Sequence, residues 1–163
     1  MGQKSVRQRM GTISVIMIFT SILVASGFST YDYIIERNNL ENYFSAITTP
    51  IPKRLANGME KALWFLDTGL AWDLIELEMV NKWIYAVVVK ESDGKKIFVA
   101  YKRDEHWKIV KSDGNIPDGF TVNIKKIIHE ERSIGYVEVY FTNRFIKRSL
   151  RNLIFFIIIK VVV

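Results

Sequence analysis

In Trp83-Ile84-Tyr85-Ala86-Val87-Val88-Val89-Lys90-Glu91-Ser92-Asp93-Gly94, helical spacing gives way to a β-branched run closed by turn residues. The run predicts a strand over 83–90, and both it and the next strand are expected to be apolar on both faces, as central, doubly covered strands are. Ser92-Asp93-Gly94 predicts a turn, and a second run over 97–103 returns as the partner of a hairpin. Downstream, 107–111 reads as a third strand closed by Ser112-Asp113-Gly114. Pro117-Asp118-Gly119 opens a fourth over 120–129, and residues 130–133 turn it into a fifth over 134–142. In the fifth, Val137, Val139 and Phe141 alternate with Tyr136, Glu138 and Tyr140, so one face meets a core and the other is mixed. The five strands are expected to meander.

Upstream the period is helical. Thr48-Thr49-Pro50-Ile51-Pro52 stops one long helix, because each proline lacks an amide donor and restricts the residue before it. A new helix is expected from about Lys53, with Leu55, Met59, Ala62, Leu63 and Leu66 at three-to-four spacing. Residues 67–69 interrupt it, and Leu70, Leu74, Ile75, Leu77 and Val80 resume the pattern. Helices followed by strands predict an α+β domain: a long N-terminal helix and two further helices packed on a five-stranded antiparallel sheet. A chain of 163 residues has room for one such folded unit.

Hydrophobic residues make up 49% of the chain although 25% are charged, and the excess sits at the two ends. Between Met10 and Tyr31 no residue is charged, which predicts a transmembrane helix over 10–29. Lys4, Arg7 and Arg9 precede it and Asp32 and Glu36 follow, so the positive-inside rule puts 1–9 in the cytoplasm and 30–143 outside. A cleaved secretory signal ending at Ala25-Ser26-Gly27 is the alternative. Against it, Tyr33, Ile34, Leu40, Tyr43 and Phe44 prolong the helical spacing outward. At the far end an apolar run over 153–163 is broken only by Lys160. It predicts a juxtamembrane helix and the start of a second span over 144–163, with a buried terminal strand as the alternative. Arg144, Lys147, Arg148 and Arg151 lie just before it, on the side assigned as external. Long intervening domains cross a membrane largely regardless of charge, and such side chains can meet lipid phosphates.

The chain has no cysteine, which excludes disulfides and thiolate chemistry. The net charge is +6, but acidic residues interrupt the lysines and arginines throughout the middle, unlike a nucleic-acid footprint. His106 and His129 lack ligand spacing, so no metal is expected. Neither a serine nucleophile elbow nor a glycine-rich phosphate loop occurs, and neither catalysis nor a cofactor is expected within these residues.

Two groups are candidate ligand contacts. Trp64 and Asp67, three residues apart, would share a helical face and offer an indole and a carboxylate; the alternative has the Trp in the core and the Asp ending the helix. Tyr85, Tyr101 and Arg103 come from neighbouring strands and could line a pocket on one sheet face, with Arg103 suited to a carboxylate or phosphate; a plain surface cluster is the alternative. Glu130 and Glu131 beside His129 could respond to pH or hold a divalent cation, or simply form a solvated turn.

Leu63-Trp64-Phe65-Leu66-Asp67, the strand and turn from Ala86 to Lys95, and Ile134-Gly135-Tyr136-Val137-Glu138-Val139-Tyr140-Phe141 running into a basic helix occur in a telling order. In that order the chain, from about Gly11 onward, resembles the extracytoplasmic PAS-like, or Cache, sensor domains of bacterial histidine kinases and related transmembrane receptors. The aromatic and arginine signature by which some of these domains hold amino acids is not recognisable, so the resemblance carries over no ligand class. It implies a homodimeric receptor of the bacterial inner membrane. An extracytoplasmic small molecule would bind the sensor domain and signal through the second span to an output beyond Val163. An anchored extracytoplasmic binding or assembly module without signalling output is the rival expectation, and a secreted enzyme released by signal cleavage a third.

Overall fold

The computed structural model describes residues 2–162, with side chains at 15–156, 158 and 159. The elements are α1 (Gly2–Thr48), α2 (Ile51–Trp64), α3 (Thr68–Met79), β1 (Ile84–Glu91), β2 (Ile97–Arg103), β3 (Ile109–Lys111), β4 (Thr121–His129), β5 (Arg132–Phe141) and α4 (Arg144–Val162). They fall into an α+β unit, Asn42–Phe145, and a helical unit made of Met1–Glu41 and Ile146–Val163.

In the α+β unit α1 stops at the expected prolines. Pro50 is the N-cap of α2 and Pro52 lies in its first turn, where an amide would have no helical partner anyway. Hence α2 starts two residues before the expected Lys53. Its apolar stripe, Ile51, Leu55, Met59, Ala62 and Leu63, is buried, as are Ala71, Ile75 and Met79 of α3. Both helices cover the same sheet face, α2 against β4 and β5 and α3 against β1 and β2. Val87, Val89, Val99, Val137, Val139 and Phe141 meet them from below, so the alternation read in the last strand carries the core.

The sheet is antiparallel with order β3-β2-β1-β5-β4, which is not a meander. After β3 the chain crosses to the opposite edge before β4, and β5 returns to pair with β1. The crossing explains why β1 is apolar on both faces. Ala86, Val88 and Ala100 point away from the helices yet are fully buried. The crossing segment lies over them: a Cβ on Gly114 would collide with Ile97 and touch Val88 at 3.6 Å, and its φ of +82° also favours glycine.

In the helical unit one helix near the N-terminus is, among the described residues, long and apolar enough to cross a membrane. Its most apolar window has a mean hydropathy of 1.4 and is 0% buried. Three hydroxyls of that helix donate to the carbonyl four residues before them. Thr20 donates to Ile16 O at 2.8 Å, Ser21 to Met17 O at 2.9 Å and Thr30 to Ser26 O at 2.9 Å. The C-terminal run is helical in α4 rather than a strand. Ser29, Thr30 and Tyr33 of α1 and Ile154 and Ile158 of α4 line one shallow cleft of about 240 Å³. The side chains of the basic start, Lys4, Arg7 and Arg9, and of Lys160 lie outside the described residues.

Candidate functional site

The loop from β2 to β3 is closed by its own backbone. Asp104 N donates to Lys108 O at 2.9 Å, Trp107 N to Asp104 O at 3.0 Å, and Lys108 N to the Asp104 carboxylate at 2.8 Å. This closure holds Trp107 at φ +66°, a left-handed conformation that a bulky L-residue adopts only when its surroundings impose it. The indole is flanked by two guanidinium groups, Arg103 at 5.5 Å and Arg144 at 5.1 Å from the ring centre. The Phe145 ring meets it edge-on at 5.7 Å. The indole N–H is buried with no acceptor, the one such side-chain polar atom among the described residues.

Tyr85 sits where the β1–β5 register shifts between Ile84 and Ala86. Its ring stacks on Phe120 at 3.9 Å with the planes 9° apart. Phe120 is delivered by the crossing segment, directly after Gly119 at φ +102°. Thr142 closes the third side: its amide donates to Trp83 O at 2.9 Å and its hydroxyl accepts from Arg144 N at 3.2 Å, capping α4. Tyr85, Arg103, Trp107, Phe120, Thr142 and Arg144, with Lys102, Asp104 and Glu105, line an open cleft of about 520 Å³, within the range of small-molecule sites. It offers stacked aromatic walls and both signs of charge. Lys102 and Arg144 take part in no ion pair among the described residues.

Arg103 lines the cleft but is committed elsewhere. Nε donates to Ile84 O at 2.9 Å and Nη1 to Trp107 O at 2.8 Å, while Nη2 donates to Met79 O and, at 3.5 Å, to Asn81 O. Met79 is the last residue of α3, so the guanidinium satisfies an orphan carbonyl at the negative end of that helix. It ties α3, β1 and the Trp107 loop together and is 8% exposed, with no carboxylate partner among the described residues. Burial pushes its pKa below the ordinary arginine value.

The expected trio is therefore divided. Tyr85 and Arg103 come together in the cleft, whereas Tyr101 is not in its lining and instead packs its ring on Trp72 of α3 at 4.4 Å. Trp64 and Asp67 do not share a helical face. The helix ends at Trp64, Leu66 turns to φ +53°, and Asp67 starts α3, its carboxylate accepting from Leu70 N at 2.9 Å. Nor is Trp64 in the core: it is 52% exposed and stacks on His129 at 4.1 Å, whose Nδ1 lies 2.9 Å from the Glu60 carboxylate. Glu130 and Glu131 form the β4–β5 turn, with φ of +45° and +66°.

Trp107, Phe120 and Arg144 were not among the expected contacts. Phe120 reaches Tyr85 only through the crossover, and Trp107 turns inward only through its left-handed φ, so neither follows from spacing. Arg144 was legible as a helix start but not as a cleft residue. No protein-family model matches the chain, and no curated protein is similar to it.

Proposed function

We propose that this chain is the signal-sensing, membrane-anchored part of a bacterial receptor, a PAS-like (Cache) sensor most simply coupled to a two-component histidine kinase output. A small extracytoplasmic molecule occupies the cleft of Tyr85, Trp107 and Phe120, and α4 carries the signal as the start of the second transmembrane helix. One observation supports this above the others: the first residue of α4, Arg144, lies over the Trp107 ring inside the cleft lining. A ligand that prefers one position of Arg144 and Thr142 biases α4 by its differential affinity for the two arrangements. The aromatic neighbours extend the linkage. Trp83 meets Phe145 at 5.4 Å and Phe44, near the end of α1, at 5.3 Å, both edge-on.

The test is crosslinking in membranes of single cysteines at successive positions over 143–153, which the cysteine-free sequence makes unambiguous. An effective ligand is expected to change which positions crosslink between two copies, and Trp107→Ala to abolish the change. Identical patterns with every ligand that stabilises the chain against heat overturn the coupling. Protease added outside spheroplasts is expected to cut within 30–143; protection of that region overturns the topology.

A further inference from the structure

The cleft takes up Arg144 and leaves the next three cations of α4 without a role. Lys147, Arg148 and Arg151 follow it at spacings of three, four and seven residues, which places them along one side of the helix. All three are exposed, and none has an ion-pair partner among the described residues. No acidic residue occurs after Glu138, so α4 itself carries no counter-charge. Directly beyond Arg151 and Asn152 the helix turns apolar, with Ile154, Phe155 and Phe156 exposed. A cationic stripe one turn from an exposed apolar stretch matches the boundary between phosphate and hydrocarbon in a bilayer. The long stems of lysine and arginine can lie along the apolar side while their heads reach phosphate.

We infer that Lys147, Arg148 and Arg151 form a binding site for the headgroups of anionic phospholipids, which sets the depth at which α4 enters the membrane. The inference rests on the membrane reading proposed above. It also accounts for basic residues on the side where the positive-inside rule does not favour them: they serve as lipid ligands instead of topology signals. The occupant is a lipid headgroup and not a free anion, because all three side chains are exposed and the stripe is continuous with the exposed apolar stretch.

The experiment uses the full chain carrying Ser149→Cys, reconstituted in nanodiscs of pure phosphatidylcholine or of an equal mixture with phosphatidylglycerol. The rate at which a polar maleimide modifies residue 149 is the readout. Modification is expected to be at least about five-fold slower in the anionic discs. High salt, or Lys147→Gln with Arg148→Gln and Arg151→Gln, should remove the protection, whereas Lys147→Arg with Arg148→Lys and Arg151→Lys should keep it. Equal rates in the two lipids overturn the inference while leaving the membrane reading intact. Equal protection by inorganic phosphate in phosphatidylcholine discs also overturns it, by assigning the stripe to a free anion. A chain that separates from the discs altogether overturns the membrane reading itself.

Discussion

Arg103 was expected as a ligand contact because an arginine beside two tyrosines suits a carboxylate; its hydrogen bonds go instead to carbonyl oxygens of α3, the 79–84 connection and the Trp107 loop. A lysine has a charge but no planar fork, so Arg103→Lys is expected to lower unfolding stability by about 2 kcal/mol in urea denaturation. Retained stability would return Arg103 to the list of ligand contacts. On the other sheet face, Glu138 accepts from Lys90 Nζ at 2.6 Å and from the Tyr140 hydroxyl at 2.8 Å. Burial, then the Glu138 hydrogen bond and charge, push the Tyr140 pKa up to about 12. The folded value exceeds the unfolded value of about 10, so the stabilisation is fully present below pH 10 and is lost as pH rises through 12. Ultraviolet difference titration of the folded protein should contain a phenolate component rising near pH 12 that Tyr140→Phe removes. None of these roles could be read from residue type, because each depends on which backbone or carboxylate lies opposite after folding.

Among the elements, the hairpins differ in how well their turns suit them. In the β1–β2 turn Asp93 accepts from Lys95 N at 2.8 Å and Lys96 N at 2.9 Å, which holds its pKa below the usual carboxylate value, and Gly94 supplies φ +67°. That turn was legible, since Ser-Asp-Gly contains the residues the geometry requires. The β4–β5 turn places two glutamates in left-handed conformations, where Asn-Gly is favoured. Glu130→Asn with Glu131→Gly is expected to raise stability by about 1 kcal/mol, measured as a higher denaturant midpoint with unchanged slope. No gain would mean that the two carboxylates make a compensating interaction. The helices were legible to within two residues at the proline break, but the interruption expected at 67–69 falls at 65–67, because α2 ends at Trp64 and Asp67 caps an α3 that already begins at Thr68. The break turns on Leu66 at φ +53°, a conformation that a leucine does not announce, so Trp64 and Asp67 were assigned to one face that the chain breaks in two.

Across the whole molecule, Trp83 is the residue on which the ends of the α+β unit converge. It contacts Phe44 and Phe145, its carbonyl accepts from Thr142 N, and it is 8% exposed. Trp83→Ala is expected to cost about 3 kcal/mol and to shift the crosslinking pattern over 143–153 even without ligand. An unshifted pattern would count against the proposed coupling between the α+β unit and α4. Hydrophobic spacing and turn chemistry determined the α+β class, the order of helices and strands, the apolar N-terminal helix and the start of α4 near Arg144, because both are local properties of the chain. Tertiary structure decided the sheet order β3-β2-β1-β5-β4 and with it the cleft, since pairing between distant strands depends on how both faces of β1 are buried. Only that crossover brings Phe120 to Tyr85, and only the closed loop and the cap of α4 bring Trp107 to Arg144. Contacts of this kind join residues far apart in sequence, and no local spacing encodes them.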